Sequence, residues 1–213
     1  MIPQGSARGA AGPLKTNVRG MDKKNKILGS PNKIIWSYFE GLRKASYRAS
    51  LVSDDRDIKQ ETAVAVFLSV NVIEAFVNIY FRVLVSQKEY HKYQDEIVSD
   101  LNKHVALGKK LNKWPNLIFR KSISKETLLS FDRLKKLRNE LTHFKSSHET
   151  LEYQEIAITG LVDVTSFENL TKADAEISLC VAEEILEAIF QINGLSDDEI
   201  PHAMHLWTGK PPS

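Results

Sequence analysis

Three side chains near one another in the chain have the chemistry to act on a phosphate group. Arg138 and Asn139 are adjacent, and His143 ends the same hexapeptide, 138–143. Arginine offers a fixed, permanently charged fork that suits phosphate oxygens, while histidine can give or take a proton near neutral pH. An arginine and a histidine held together are what the cleavage of a phosphodiester requires.

An amphipathic helix must position this hexapeptide. Ser124 and Thr127 can cap the helix, and the hexapeptide lies at its C-terminal end. The apolar stripe of the helix is Leu134, Leu137, Leu141 and Phe144. On an ideal helix Arg138 and His143 are about 140° and about 7.5 Å apart, so they converge only through the length of the arginine or an unwound helix end. The helix dipole favours the charged form of His143, which suits a general acid.

The rest of the chain also has helical patterns. Helices are predicted over about 31–51, 57–86 and 88–104, and a last helix begins after the cap Thr171 and stops at Gly194. The predicted buried stripe of the last helix is Ile177, Val181, Ile185, Ala188, Ile189 and Ile192. The basic connector 108–125 contains Pro115, which predicts that no continuous helix forms there. Residues 155–160 fit a short strand or an extended loop. The pattern predicts an all-α, up-and-down bundle of four to five helices.

Composition divides the 213 residues into two parts. Residues 1–30 contain six basic residues and one acidic residue, whereas the remainder carries a net charge of −3. We expect residues 1–30 to be a disordered basic tail, of which 1–20 are either native or an upstream extension before Met21. Residues 31–213 are expected to form one helical domain. The single cysteine and the absence of a long uncharged apolar run predict a cytoplasmic protein without a membrane span.

The predicted central helix, 57–86, has a narrow polar stripe. Asn71, Glu74, Asn78 and Arg82 lie within roughly 80° of one another on a helical wheel. One interpretation is that this stripe is the solvent-exposed face of the helix. The other is that it lines a cleft or a subunit interface, with Glu74 placed to bind a cation such as Arg138.

Three segments in this order resemble a known family. Arg-Asn-x-x-x-His at 138–143, late in a helix, resembles the signature of the HEPN superfamily, small helical domains that share an Arg-x(4–6)-His motif. Residues 73–78, which include Glu74, resemble the early helix of these domains. Residues 111–115 resemble a linker of several uncharacterised bacterial members. The resemblance covers about residues 31–193.

The resemblance implies a homodimer in which two motifs face a shared cleft, and a metal-independent endoribonuclease without a cofactor. In such enzymes the ribose 2′-hydroxyl attacks the adjacent phosphorus. Arg138 would stabilise the charge on phosphorus, His143 would move protons, Asn139 would position the phosphate or the arginine, and Glu74 would orient Arg138. Lys135, Lys145 and Asn78 are the candidate substrate-binding residues. A toxin or phage-defence role implies RNA as substrate and an antitoxin as a partner. The alternative is a non-catalytic HEPN-like dimerisation or interaction module.

Other candidate residues have weaker patterns. Nine basic residues could form a rim that follows RNA phosphates, and they are equally consistent with an ordinary solvated surface. They are Lys109, Lys110, Lys113, Arg120, Lys121, Arg133, Lys135, Lys136 and Lys145. Trp114 is expected to fill the core rather than to stack on a base. His202 and His205 lack further ligands, so no metal site is predicted. Cys180 is expected to be a buried, inert thiol.

Overall fold

A computed structural model of the chain describes residues 29–143, 151–153, 156–158 and 163–211. These residues form eight α-helices, one short 3-10 turn (His91–Tyr93) and one antiparallel hairpin. In chain order the elements are α1 (Lys33–Leu51), α2 (Asp55–Val85), α3 (Gln94–Asn102), α4 (Leu107–Phe119), α5 (Lys125–Thr142), β1 (Leu151–Tyr153), β2 (Ile156–Ile158), α6 (Thr165–Glu168), α7 (Lys172–Ile192) and α8 (Ile200–Thr208). The prediction of an all-α fold is confirmed. The predictions made for residues 1–28 and for Phe144 and Lys145 lie outside the described residues.

Helix α2 is the central element of the bundle. It packs against α1, α7, α5, α3 and α4, and its buried side chains include Phe76, Val77 and Phe81. The helix begins where Asp54 accepts hydrogen bonds from the amides of Arg56 and Asp57 at 3.0 and 3.1 Å, which satisfies two otherwise unpaired donors. By length and composition α2 is able to cross a membrane, although 56% of its most apolar window is buried inside the bundle. Burial of this kind is typical of a core helix.

The prediction for Pro115 was wrong, because α4 runs through the proline without a break. Proline has no N–H to donate to the preceding turn, which normally destabilises a helix interior. In α4 one face is buried along its whole length by Leu107, Leu111, Trp114 and Ile118, and Pro115 itself is buried. Burial of these apolar side chains compensates for one missing hydrogen bond. The helix ends instead at Arg120, whose left-handed backbone (φ 58°) stops it five residues later.

Two predictions about α7 differ from the structure. Ile177 was expected in the buried stripe but is 54% exposed, and Cys180 was expected to be buried but is exposed. The predicted cap is confirmed, since Thr171 and Asp174 form a reciprocal capping box, and Gly194 follows the helix with φ +93°. The face of α7 that packs on α2 is therefore rotated slightly away from the one that periodicity indicated.

Within residues 155–160, which fitted either a strand or an extended loop, Ile156–Ile158 is a strand that pairs with Leu151–Tyr153.

The buried carboxylate of Asp100 joins α3 to α4. It accepts hydrogen bonds from the indole Nε1 of Trp114 and from Nζ of Lys113, both at 2.9 Å. Burial opposes ionisation of Asp100, but these two donors outweigh burial and lower its pKa. A carboxyl whose pKa is lower in the folded state contributes stability above its unfolded pKa of about 3.9, and that stability is lost as the pH falls through the folded value.

We predict that Asp100→Asn lowers the free energy of unfolding by about 1–3 kcal/mol at pH 7, because Lys113 and Trp114 lose a charged acceptor. The difference from wild type should shrink as the pH falls below about 3.9, where Asp100 of the unfolded chain takes up a proton, and should vanish below the lower folded pKa. Urea denaturation followed by circular dichroism at several pH values measures both effects. Asp197→Asn, at an exposed turn, is the control and should behave like wild type at every pH. A difference that is independent of pH would contradict this account of Asp100.

Candidate functional site

The hexapeptide lies at the C-terminal end of α5, as predicted. Ser124 starts the helix by accepting a hydrogen bond from the amide of Thr127 at 3.0 Å, and Phe131, Leu134 and Leu141 are the buried side chains that hold it on the bundle. His143 is the C-cap, with φ −115° and ψ 73°, and its amide donates to the carbonyl of Asn139 at 2.9 Å. The backbone therefore leaves the helix at the histidine itself.

The three motif side chains differ in exposure. Arg138 and Asn139 are half-buried, whereas His143 is exposed. Nε of Arg138 is buried and has no hydrogen-bond partner among the described residues. A buried guanidinium donor without an acceptor is unusual in a folded protein, because desolvation is not compensated. Arg138 thus retains hydrogen-bonding capacity for an acceptor from outside the described chain.

Glu74 lies on α2, which packs against α5. Its side chain is half-buried. Over residues 29–143 and 163–211, no ion pair or hydrogen bond joins the Glu74 carboxylate to the Arg138 guanidinium. The orienting role of Glu74 therefore stays a prediction.

The side chain of Asn78, one turn after Glu74, is hydrogen-bonded to a lysine. Its Oδ1 accepts a hydrogen bond from Nζ of Lys110 at 2.9 Å, and Lys110 is only 3% exposed. The ammonium also lies 5.5 Å from the ring centre of Trp114, where it makes a cation–π contact. In the described part of the chain, no carboxylate lies within 4 Å of this ammonium. Asn78 and Lys110 thus place a buried positive charge beside the polar stripe of α2.

Sequence reasoning assigned Lys110 to a surface rim and missed its burial. The signal was present, because Lys110 lies between Leu107, Leu111 and Trp114, which recur at helical spacing. The expectation that Pro115 prevents a helix concealed that pattern. Lys113 was assigned to the same rim, and its ammonium is instead paired with Glu96 at 2.8 Å and Asp100 at 2.9 Å.

Lys135 lies one turn before Arg138 on α5. Its Nζ lies 3.4 Å from Oδ1 of Asp132. It also lies 3.4 Å from the position that the β-carbon of a larger residue would take at Gly108. Gly108 is in the first turn of α4, which contains no acidic residue. Lys135 therefore lies where α4 begins, near the helix end whose backbone amides carry partial positive charge. Other basic residues of the predicted rim are exposed: Lys109, Arg120, Lys121, Arg133 and Lys136.

The remaining candidates have no comparable arrangement. Glu140 of the hexapeptide accepts a hydrogen bond from Ser166 of α6 at 3.0 Å, so it ties the helix end to the bundle. Nδ1 of His205 lies 3.0 Å from the carbonyl oxygen of Lys210, and the imidazole packs edge-on against Trp36. Within the described ranges no group of three histidine, cysteine, aspartate or glutamate side chains has the geometry to hold a metal ion. Cys180 is an exposed residue, but its sulfur is partly desolvated. This desolvation, and then the neighbouring glutamates, raise the pKa of the thiol, which makes it a poor nucleophile.

Comparison with known proteins adds no assignment. No family model, no curated protein and no solved structure matches the chain.

Proposed function

We propose that this chain is a metal-independent endoribonuclease of the HEPN type that acts as a homodimer. The observation that carries the proposal is Arg138, a half-buried arginine whose buried Nε has no hydrogen-bond partner among the described residues, on the helix end that also presents the exposed His143. A guanidinium with an unsatisfied donor suits a phosphate oxygen, and an exposed imidazole suits proton transfer. Both are required where charge develops on phosphorus.

The proposed reaction uses the RNA itself as the nucleophile. The ribose 2′-hydroxyl loses its proton as its oxygen bonds to the adjacent phosphorus, and the bond from phosphorus to the 5′-oxygen breaks. The departing 5′-oxygen takes up a proton, leaving a 2′,3′-cyclic phosphate and a 5′-hydroxyl. His143 moves these protons, and Arg138 stabilises the charge on the phosphoryl oxygens. Asn139 positions either the phosphate or the Arg138 guanidinium. Lys135 and Lys145 contribute positive charge along the RNA backbone.

The contact between Asn78 and Lys110 modifies one predicted role. Oδ1 of Asn78 accepts from Lys110, and Nδ2, the only donor group of this side chain, is directed by that contact toward an RNA phosphate. Lys110 adds a buried positive charge at this position. We include Lys110 in the proposed site as a residue that positions Asn78.

The chemistry of the cleavage products tests this function. RNA incubated with the purified protein in excess EDTA should yield 2′,3′-cyclic phosphate and 5′-hydroxyl ends, identified by mass spectrometry. The matched substrate has a 2′-deoxyribose at each cleaved position and should remain intact, because it has no nucleophile. Cleavage of this deoxy substrate, or 3′-hydroxyl ends, would contradict the proposed reaction. So would a purified dimer that leaves RNA intact.

A second candidate function is a non-catalytic dimerisation module. It is favoured by a cleft of about 230 Å³ between α5 and α7, whose apolar lining includes Leu134, Leu137 and Ile177. Leu129 of α5 and Ile177 of α7 are 58% and 54% exposed. Large exposed apolar side chains beside a partly apolar cleft, which Ser130, Arg133, Asp174 and Ser178 also line, suit contact with a second copy of the chain. In this function Glu74 and Arg138 would serve as a polar latch rather than as a catalytic pair.

A further inference from the structure

A second cavity, of about 380 Å³, lies away from the hexapeptide. It opens between the C-terminal half of α2, the turn that follows it, the end of α7 and α8. Three aromatic side chains from three of these segments line it, namely Tyr80, Tyr90 and Trp207. None of residues 138–143 contributes to its lining. Its volume lies at the lower end of the range for small-molecule sites, about 300–1,000 Å³.

The aromatic walls are held in place from behind. The ring of Phe76, which is fully buried, packs on Tyr80 at a centroid distance of 5.0 Å and on Trp207 at 5.3 Å. Tyr80 and Trp207 contact each other at 5.6 Å. Tyr80 also contacts Phe190 of α7 at 5.7 Å. Such packing fixes the rings before any ligand arrives, which lowers the entropy cost of binding.

The hydroxyl of Tyr80 is fixed and neutral. Nδ2 of Asn193 donates a hydrogen bond to it at 2.8 Å. Burial raises the pKa of Tyr80 to about 12, so the phenol keeps its proton at physiological pH. Tyr80 therefore offers the cavity a ring and a dipole but no charge.

The charge of the cavity comes from Glu89. Among the described residues that line it, Glu89 is the only acidic one, and no lysine, arginine or histidine is present. Glu89 directly precedes Tyr90 in the turn after α2, and its side chain is exposed. Burial, and then the charge and hydrogen bonding of Glu89, raise the pKa of Tyr90. The Glu89 carboxylate and the half-buried rings of Tyr90 and Trp207 give the cavity a negative character.

This combination of groups selects the class of ligand. A phosphate or a nucleotide would be repelled by Glu89 and would find no cation to pair with. A divalent metal ion held by one exposed carboxylate would take nearly all of its other ligands from water, so the cavity would not select it. A methylated ammonium group carries positive charge on an apolar surface, so aromatic faces attract it and no N–H donor is left without a partner. We infer that the cavity between Tyr80, Tyr90 and Trp207 binds a methylated ammonium group, with Glu89 as its counter-charge.

The inference is independent of the proposed ribonuclease activity. Choline is the first probe, and its neutral isostere 3,3-dimethylbutan-1-ol is the matched control ligand. Isothermal titration calorimetry of the full chain should give a dissociation constant for choline of about 1 mM or lower, with at least tenfold weaker binding of the isostere. A trimethyl-lysine peptide titrated in parallel, against its unmethylated form, distinguishes a protein-borne group from a free small molecule.

Two variants locate the site. Glu89→Gln keeps the shape of the side chain and removes its charge, and it should weaken choline binding about five- to tenfold. Tyr90→Leu removes one aromatic wall and should weaken binding by a similar factor. Glu184→Gln, an exposed glutamate of α7 outside the lining, is the control and should bind choline like wild type.

The binding measurements either support or overturn the methylated-ammonium site. Binding of choline or of the methylated peptide that is weakened about fivefold or more in Glu89→Gln supports the inference. Equal binding of choline and its neutral isostere overturns it, as does the absence of heat with both charged probes up to about 10 mM. Unchanged binding in Glu89→Gln overturns it as well, even if Tyr90→Leu fails to fold.

Discussion

Replacement of His143 by alanine is expected to lower the rate of RNA cleavage by about 10²–10⁴-fold, the usual contribution of a general acid or base. His143 is exposed at the end of α5, so its removal should leave the fold and the affinity for RNA almost unchanged. The loss should therefore appear in kcat and little in KM. Single-turnover cleavage of a labelled RNA in EDTA measures the rate of the chemical step directly.

His202→Ala is the matched control for this prediction. His202 is also an exposed histidine at a helix, with its ring 3.3 Å from the carbonyl oxygen of Asp198, but it lies on α8. This variant should cleave RNA at the wild-type rate. A His143→Ala protein that retains full activity would remove the histidine from the mechanism and with it the proposed reaction.

Arg138→Ala separates the two candidate functions. In a ribonuclease it should lower cleavage by about 10²–10³-fold, because the charge on phosphorus loses its guanidinium. In a dimerisation module the wild-type protein should leave RNA intact, and Arg138→Ala should lower the melting temperature or dissociate the dimer. Analytical ultracentrifugation and thermal melts of both proteins therefore accompany the cleavage assay.

Replacement of Trp114 by alanine is expected to have the largest effect on stability, lowering the free energy of unfolding by about 3–5 kcal/mol. The indole is completely buried and packs on Phe81 at a centroid distance of 5.5 Å. Its Nε1 donates to Asp100, and its ring lies beside the Lys110 ammonium. Truncation of the indole leaves a cavity, removes one hydrogen-bond donor from Asp100, and removes the aromatic ring beside the buried Lys110 ammonium.

Urea denaturation followed by far-ultraviolet circular dichroism measures this effect. Trp114→Phe keeps an aromatic ring but removes the indole N–H, so it should cost less than Trp114→Ala and separates the hydrogen bond from the packing. Tyr47→Ala is the exposed aromatic control, since Tyr47 is 65% exposed, and it should change stability by no more than about 0.5 kcal/mol. A loss below about 1 kcal/mol in Trp114→Ala would show that this part of the bundle can repack.

The Trp114 prediction also bears on the candidate site. Lys110 reaches Asn78 from the same helix that Trp114 anchors. A shift of α4 would move both groups relative to Glu74 and Arg138. We therefore expect cleavage by Trp114→Phe to be reduced even where the protein remains folded.

Local patterns in the sequence were sufficient for much of the helical framework. The start of α5 at Ser124 and the capping box of Thr171 and Asp174 involve residues three positions apart, so the sequence contains both partners. The length and apolar content of α2 likewise identify a central helix. The placement of Arg138, Asn139 and His143 at a helix end also follows from the spacing of the leucines alone.

Other features depended on which helix packs against which. Pro115 is tolerated inside α4 because a buried apolar face holds that helix, and this face exists only in the folded bundle. Ile177 and Cys180 are exposed because the contact surface of α7 is set by its neighbours, not by its own periodicity. Periodicity identifies an apolar side of a helix but cannot choose among adjacent apolar residues at its margin.

The sequence by itself determined an all-α bundle and a hexapeptide that combines an arginine, an amide and a histidine at a helix end, because both depend on interactions within a few residues. Only the tertiary structure decided that Lys110 is buried against Asn78, that Nε of Arg138 has no partner among the described residues, and that Tyr80, Tyr90 and Trp207 line one cavity. These residues are distant in the chain, so their contacts arise from the packing of whole helices, which no local pattern encodes.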